Sequence, residues 1–314
     1  MKQWMWLLFF SALCSPLRAS ITLDTGKVQK TVVFIYAAKS GGDADEGHPL
    51  GTGFLVVALL KGDSTKGALF LVTARHIVDP NWMFCSTPQP DLVYVRLNKK
   101  KYDPSKDSTG VAYLPVPLVE KSQKKYFVSD DEKVDAAVID FGWTNHSQDD
   151  YDFLPIDISV FASPDEIKIL GIGDNVTSTG LIPGQSGEKR NYPFFKFGSI
   201  SSIPDEAVWV SCEKNMPRLR LERVWFIAAN LVGGNSGSPV FFYPPGPGGL
   251  GASFGGGVNN VLRPVLIGVQ SLSFEGADIA GMTPVEDVFQ IIKKHSPKND
   301  MDWYRGDTSK KPKE

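Results

Sequence analysis

A serine flanked by glycines is the most chemically suggestive feature of the 314-residue sequence. Ser236 lies in the run Gly-Gly-Asn-Ser-Gly, with Ser238, Pro239 and an apolar stretch directly behind it. A serine that attacks an acyl carbon needs an accessible hydroxyl, a base for its proton and donors for the oxyanion. Glycines permit a tight turn with unobstructed N–H groups, so the backbone N–H groups of Gly234 and Ser236 are candidate oxyanion donors. By itself the run also fits an ordinary Gly/Ser/Pro turn.

The candidate base is His76, which follows the apolar β-type run Leu71-Val72-Thr73. His48 and His146 lie in polar, loop-like segments, and His295 ends a predicted helix. Only His76 follows a strand that can fix an imidazole rigidly, although a buried structural histidine would show the same pattern.

An aspartate within an apolar segment completes a possible catalytic set. Asp135 precedes Ala-Ala-Val-Ile, and burying its carboxylate is costly unless it is paired. A histidine Nδ1–H is a suitable partner, because the carboxylate fixes the tautomer and stabilises the imidazolium. Asp130, Asp131 and Asp140 are competitors, and an aspartate that caps a turn at a strand edge is the structural alternative.

The elements that must position these residues are mostly short β-type runs separated by turn residues, which predicts an all-β sandwich or barrel. The predicted strands are Thr31–Tyr36, Gly53–Val57, Ala68–Thr73, Leu92–Leu97, Val134–Phe141, Asn175–Thr179, Phe195–Ile200, Ala207–Ser211, Val224–Ala228, Pro239–Phe242 and Val265–Ser271.

One amphipathic helix is predicted over 284–295, with Thr283 as its N-cap and Glu286 completing a capping box. The polar tail 296–314 is expected to be mobile. The segment 244–257 contains three prolines and seven glycines and is expected to be a flexible loop.

The N-terminus, residues 1–19, has a lysine, a short apolar run and a small-residue cleavage region. This pattern predicts a signal peptide and a secreted or periplasmic protein without a membrane span after cleavage. A lipoprotein attached through Cys14 is a weaker alternative. In an exported protein, Cys85 and Cys212 have the option of forming a disulfide, which the sequence neither requires nor excludes.

The composition argues against several function classes. The net charge of −2 gives no sign of a nucleic-acid-binding face, and the run Lys99-Lys100-Lys101 fits a solvated hairpin tip. Two cysteines and four scattered histidines in the part after the signal segment argue against a structural zinc site, so we expect no metal and no cofactor.

Taken in chain order, the motifs around His76, Asp135 and Ser236 resemble those of trypsin-like serine proteases. Further likenesses are Gly51-Thr52-Gly53-Phe54, the segment from Gly173-Asp174 to Gly198-Ser199, Leu266 to Ser271, and Gly281 to Val285. The resemblance is to bacterial members of the HtrA-like and glutamyl-endopeptidase-like branch, and it covers about residues 31–295.

The resemblance implies a domain over 30–295 built from two six-stranded antiparallel Greek-key barrels, about 30–145 and 165–283, and the terminal helix. His76 would be general base and acid, Asp135 would orient it, and Ser236 would form the acyl-enzyme. Ser271 would belong to the strand that pairs with a polypeptide substrate. Asn230 would lie at the base of the primary pocket and Ser273 and Gly281 on its walls, favouring neutral or apolar side chains.

Departures from the family pattern carry information of their own. Asn235 replaces the aspartate that pairs with a new N-terminus in zymogen-activated members, so we expect activity without propeptide cleavage. HtrA enzymes carry a PDZ domain after the protease, whereas a polar tail follows this helix, so we expect a lone catalytic domain. Arg75 replaces a small residue and is expected to point away from the catalytic face, with little effect.

The leading hypothesis is therefore a secreted serine endopeptidase, with no prediction of its oligomeric state. A catalytically silent binding module on the same fold is the first alternative. An α/β-hydrolase esterase is disfavoured, because that class has the order Ser, Asp, His and a helix directly after the serine.

Overall fold

The computed structural model describes residues 25–40, 42–83, 90–142, 150–182, 185–211, 219–231, 234–242, 264–274, 277–296 and 301–305. The signal segment 1–19, Cys85, Cys212, His146 and the Gly/Pro segment 244–257 lie outside the described residues. Among the described residues, no helix combines the length and apolar character needed to cross a bilayer.

Eighteen strands and four α-helices form the described chain. The first ten strands are β1 (Val32–Ala38), β2 (Ala44–Leu60), β3 (Asp63–Thr73), β4 (Leu92–Asn98), β5 (Val111–Pro117), β6 (Val119–Glu120), β7 (Gln123–Lys124), β8 (Tyr126–Val128), β9 (Ala137–Gly142) and β10 (Ile156–Asp157). The others are β11 (Asn175–Gly180), β12 (Phe194–Ser202), β13 (Val208–Ser211), β14 (Leu219–Glu222), β15 (Trp225–Ala228), β16 (Pro239–Phe242), β17 (Val265–Phe274) and β18 (Ile279–Pro284). The helices are α1 (Thr25–Thr31), α2 (Arg75–Val78), α3 (Pro164–Ile169) and α4 (Val285–His295), and short 3-10 turns cover Pro80–Met83 and Ile158–Val160.

The strands form the two-barrel architecture of chymotrypsin-like proteins, which confirms the predicted fold class. The second half is a closed six-stranded barrel in the order β11-β12-β15-β18-β17-β16, in which β16 pairs back with β11. The first half differs in detail from the predicted six-stranded antiparallel barrel: it is a curled eight-stranded sheet in the order β5-β4-β1-β2-β3-β9-β8, with β10 added in parallel alongside β2. One edge of this sheet is β5, whose Pro115 and Pro117 lack the N–H groups needed to extend the ladder.

The strand β3 explains why the two halves pack as one unit. Successive side chains of a strand point to opposite faces. Leu71 packs inside the first sheet, whereas Phe70 and Val72 join a second cluster with Phe241 and Ile292. The shared cluster therefore includes residues of both barrels and of α4, and each such fully buried apolar side chain contributes about 1.5–3 kcal/mol.

The terminal helix begins one residue later than predicted and without the predicted cap. Val285 is its first residue, Pro284 is the N-cap position, and no side chain caps it. Thr283 instead remains in β18 and its hydroxyl donates to the backbone oxygen of Asp135 at 3.1 Å. The predicted apolar stripe is confirmed, since Val285, Val288, Phe289 and Ile292 are all buried.

The tail is not wholly mobile, contrary to the prediction. Met301 is fully buried and forms a β-bridge with Leu60. Trp303 packs edge-on against Phe289, with ring centroids 6.0 Å apart. The apolar side chains within this otherwise polar tail therefore bind it back to the helix and to β2.

Asp287, in the first turn of α4, predicts a pH dependence of stability. Burial raises the pKa of its carboxyl to about 6, despite the nearby charge of Arg223. The folded pKa lies above the ordinary value of 3.8, so the folded state gains a proton relative to the unfolded state between these pH values. Stability attributable to this group is therefore present at low pH and lost as pH rises through about 6.

Asp287→Asn is accordingly expected to raise the free energy of unfolding by about 2 kcal/mol at pH 8, with little gain at pH 4. Urea titrations at the two pH values measure this difference. Asp165→Asn is the matched control, because Asp165 lies in the first turn of α3 with its side chain 92% exposed. An equal gain for Asp287→Asn at both pH values would contradict the prediction.

Candidate active site

His76 and Asp135 meet at the end of β3. His76 lies in the single turn α2 that follows this strand, and its Nδ1 is 2.8 Å from Asp135 Oδ2. Its backbone N–H donates to the other carboxylate oxygen, Oδ1, at 3.0 Å. The Asp135 side chain is 1% exposed and lies two residues before β9. Because one histidine uses both carboxylate oxygens, the imidazole is held in a single orientation.

The competing acidic residues are engaged elsewhere. Asp130 pairs with Lys294 at 2.5 Å, and Asp131 pairs with Arg223 at 3.5 Å. Asp140 is exposed and accepts from the backbone N–H of Gly142. Of the four candidates from the sequence, Asp135 is therefore the one that contacts His76.

The environment of Asp135 favours its carboxylate form. Burial acts to raise the pKa of this carboxyl, but the charge and hydrogen bonds of His76 and the charge of Arg220 outweigh it. The pKa of Asp135 consequently lies below its ordinary range.

Thr52, fully buried in β2, holds the loop that carries Ser236. Its backbone N–H donates to the backbone oxygen of Ser236, and its hydroxyl donates to that of Gly234, both at 2.8 Å. The same hydroxyl oxygen accepts from the backbone N–H of Leu181, which follows β11. Thr52 therefore links the serine loop to both barrels through its backbone N–H and its side-chain hydroxyl.

Gly51 lets the serine loop and the His76 helix approach β2 together. A Cβ atom added there would lie 2.5 Å from the side chain of Ile77 and 2.9 Å from the backbone oxygen of Ser236. Ile77 directly follows His76 in α2. The absence of a side chain at Gly51 thus brings the segments of His76 and Ser236 to the same place, with Ser236 itself half-buried.

The serine loop is also joined to β17. The backbone N–H of Gly237 donates to Gln270 O at 2.8 Å, and Gln270 N–H donates to Ser238 O at 2.9 Å. Gly234 and Gly237 have φ values of 89° and 87°, a conformation that favours glycine. The predicted substrate-pairing strand therefore passes next to the serine loop at Gln270.

Asn235 is buried beneath this loop and contacts a lysine. Its side-chain Nδ2 donates to Leu181 O at 2.9 Å, and its Oδ1 lies 3.4 Å from Lys196 Nζ. Lys196 also donates to the backbone oxygen of Asn230 at 2.6 Å, and burial lowers the pKa of its ammonium group. The ammonium group of Lys196 thus connects Asn230, which precedes the serine loop, with Asn235, which precedes Ser236.

The four predicted substrate-binding residues are placed around β15, β17 and β18. Ser271 is buried and Ser273 half-buried in β17, and Gly281 lies opposite Leu272 in β18. Asn230 follows β15 and is exposed. A Cβ atom added at Gly281 would lie 2.6 Å from the side chain of Val224, so Val224 packs closely against the backbone at this position.

Arg75 is more enclosed than its predicted outward orientation suggests. It is buried, its Nε lies 3.4 Å from Asp79 Oδ2, and its guanidinium packs 4.8 Å from the ring centroid of Trp82. The Arg75 guanidinium is thus paired with Asp79 and packed on Trp82 rather than paired with Asp135.

Sequence reasoning missed three residues around the site. Thr52 was noticed only as part of the motif Gly51-Thr52-Gly53. Glycines on both sides of it are the signal that could have indicated a close approach of another backbone segment to this strand. Lys196 and Arg220 approach the site from strands far away in the chain, and no local pattern marks them.

Comparison with known proteins gives similar solved structures but no match by sequence. No protein-family model matches the chain, and no curated protein matches its sequence. Among solved structures, the MamO protease domain of Magnetospirillum magneticum is similar, with 12% identity, a TM-score of 0.48 and coverage of 85% of this chain and 98% of that one. The active form of the Rv3671c protease of M. tuberculosis has 17% identity, a TM-score of 0.44 and coverage of 90% and 87%.

Proposed function

We propose that this protein is a serine endopeptidase in which His76 is the base, Asp135 orients it and Ser236 is the nucleophile. The observation that carries the proposal is the contact of both oxygens of a buried Asp135 with His76. Supporting it, Gly51 and Thr52 draw the Ser236 loop and the His76 helix to one stretch of β2. An orienting carboxylate, an imidazole and a serine in glycine-lined surroundings are the groups that acyl transfer requires.

In the proposed reaction, Ser236 Oγ bonds to the carbonyl carbon of a peptide while its proton passes to His76 Nε2. The N–H groups of Gly234 and Ser236 stabilise the oxyanion that forms. His76 then gives the proton to the leaving amine as the C–N bond breaks. Water then attacks the acyl carbon while His76 takes a proton from it. His76 returns this proton to Ser236 Oγ as the bond between Oγ and the acyl carbon breaks, which releases the acid and restores the serine.

The proposed substrate is a polypeptide that pairs with β17 near Ser271. In the proposed pocket, Asn230, Ser273 and Gly281 present no charged side chain, so neutral or apolar residues are the proposed preference. We also propose that the protein is related to the HtrA-like and glutamyl-endopeptidase-like branch. Residues 1–19 are proposed to direct its export.

The proposed protease is active without removal of a propeptide. The contact of Lys196 with Asn235 and with the carbonyl of Asn230 supports this, because an ammonium group from within the chain already holds the serine loop. Activity that appeared only after an additional N-terminal cut would contradict it.

Labelling with a fluorophosphonate probe tests the proposal, because such probes phosphonylate an activated serine: the Oγ–P bond forms as fluoride leaves. Mass spectrometry is expected to locate the adduct on Ser236. We expect labelling to disappear in Ser236→Ala and His76→Ala and to persist in Ser238→Ala, the matched neighbour. A folded protein that remains unlabelled would favour the non-catalytic binding module. A peptide library would then define the cleavage preference of the labelled enzyme.

A further inference from the structure

Arg220 is a mostly buried cation next to the carboxylate of Asp135. Its Nη2 lies 3.7 Å from Asp135 Oδ2, the oxygen that also contacts His76 Nδ1. The Arg220 side chain is only 10% exposed. Its fixed positive charge therefore acts on the carboxylate that orients His76.

A β-hairpin of the second half of the chain delivers this arginine. Residues two apart on a strand share a face, so Arg220 and Glu222 of β14 point the same way. The backbone N–H of Arg223 donates to Lys133 O at 2.9 Å, two residues before Asp135. The hairpin of β13 and β14 is thus docked onto the segment that carries Asp135.

An indole ring fixes the position of the guanidinium. Arg220 lies 4.3 Å from the ring centroid of Trp82, a favourable cation–π arrangement. Trp82 is itself held, because its Nε1–H donates to Glu132 O at 2.8 Å. The docked hairpin and the Trp82 ring therefore both hold the Arg220 guanidinium in place.

The charges around His76 and Asp135 come from several elements. Glu222 is buried and forms an ion pair with Arg220, so it offsets part of the arginine's charge. On the side of α2, Arg75 pairs with Asp79, which also lies 3.6 Å from Lys124 of β7. Arg220 is consequently the cation that forms an ion pair with Asp135, apart from His76 itself, among the described residues.

We infer that Arg220 sets the acidic limit of the pH range in which Ser236 is reactive. The inference rests on the proposed function. A general base must be neutral to accept a proton, and a nearby cation disfavours a second positive charge on the imidazole. Arg220 therefore extends reactivity to lower pH, and Glu222 limits that extension.

The experiment is the rate of fluorophosphonate labelling of Ser236 as a function of pH, from about pH 4 to 9. Arg220→Met keeps the length and the packing on Trp82 but removes the charge. We expect it to move the acidic midpoint up by about 0.5–1 pH unit, and to slow labelling roughly two- to fivefold at the wild-type midpoint. Glu222→Gln should move the midpoint in the opposite direction, and Arg220→Lys should restore it.

Arg223→Met is the matched control, because Arg223 pairs with Asp131 and Asp287 rather than with Asp135. Its midpoint should equal that of the wild type. A purely structural role for Arg220 would change the labelling rate equally at all pH values and would overturn the inference. If Arg220→Met fails to fold, Glu222→Gln carries the test, and an unchanged midpoint there overturns the inference. An unreactive wild type at every pH overturns the proposed function as well.

Discussion

Asp135→Asn is expected to slow the reaction of Ser236 with a fluorophosphonate or an activated ester by about 10³–10⁴-fold. Both carboxylate oxygens accept hydrogen bonds from His76, one from the backbone and one from Nδ1. An asparagine has a single acceptor oxygen, and its amide group presents a donor to the imidazole. The ring is then driven to the tautomer with its proton on Nε2, which cannot take the proton of the serine.

The measurement pairs labelling kinetics with circular dichroism, so that loss of reactivity is separated from loss of structure. Asp140→Asn is the matched control, because Asp140 belongs to the same segment but is exposed and only caps Gly142. It should retain the wild-type rate. A folded Asp135→Asn protein that reacts within about tenfold of the wild type would remove Asp135 from the proposed triad.

The strands that surround the site could be predicted because their patterns are local. Pro239–Phe242 has the predicted limits, β4 is one residue longer than predicted, and β3 ends at the predicted Thr73 but begins five residues earlier, since apolar runs between turn residues signal strands directly. The strands β6, β7 and β14 were missed. They are short and carry charged residues, and their pairing with strands close by in the chain supplies the stability that their own sequences lack.

The cap of α4 shows how tertiary contacts override a local signal. Thr283 followed by Pro284 and Glu286 is a good helix start in isolation. In the folded chain, however, β18 extends through Thr283, whose hydroxyl donates to Asp135 O. Thr283 therefore supports the segment that carries Asp135 instead of capping the helix. This contact joins residues 148 positions apart in the chain, so no local pattern predicts it.

The candidate site follows the same division between local and distant information. His76, Asp135 and Ser236 could be selected because each lies in a recognisable local motif. The contacts of Thr52, Lys196 and Arg220 with these motifs could not, because they join segments that only the fold brings together. The sequence therefore predicted the proposed reacting groups, whereas the residues that contact and position them could be identified only from the structure.

Gly237→Ala tests how much of that support depends on close backbone approach. Gly237 has φ of 87°, and a Cβ there would lie 1.9 Å from the backbone oxygen of Thr52 and 2.4 Å from Thr73 Oγ1. Neither neighbour can move easily, because Thr73 donates to that same oxygen and Thr52 N–H donates to Ser236 O. Backbone strain and steric overlap together are expected to lower the free energy of unfolding by about 2–5 kcal/mol.

Gly173→Ala separates the two contributions. Gly173 has a similar φ of 94°, but nothing lies within 4 Å of the position its Cβ would take. It should lose only the backbone contribution, about 1–2 kcal/mol, in the same urea titration. Because Thr52 contacts both Ser236 and Gly234, the displacement in Gly237→Ala should also slow labelling of Ser236, whereas Gly173→Ala should label normally. Equal losses of stability and unchanged labelling in the two variants would show that close packing of Thr52 against the loop does not position the serine.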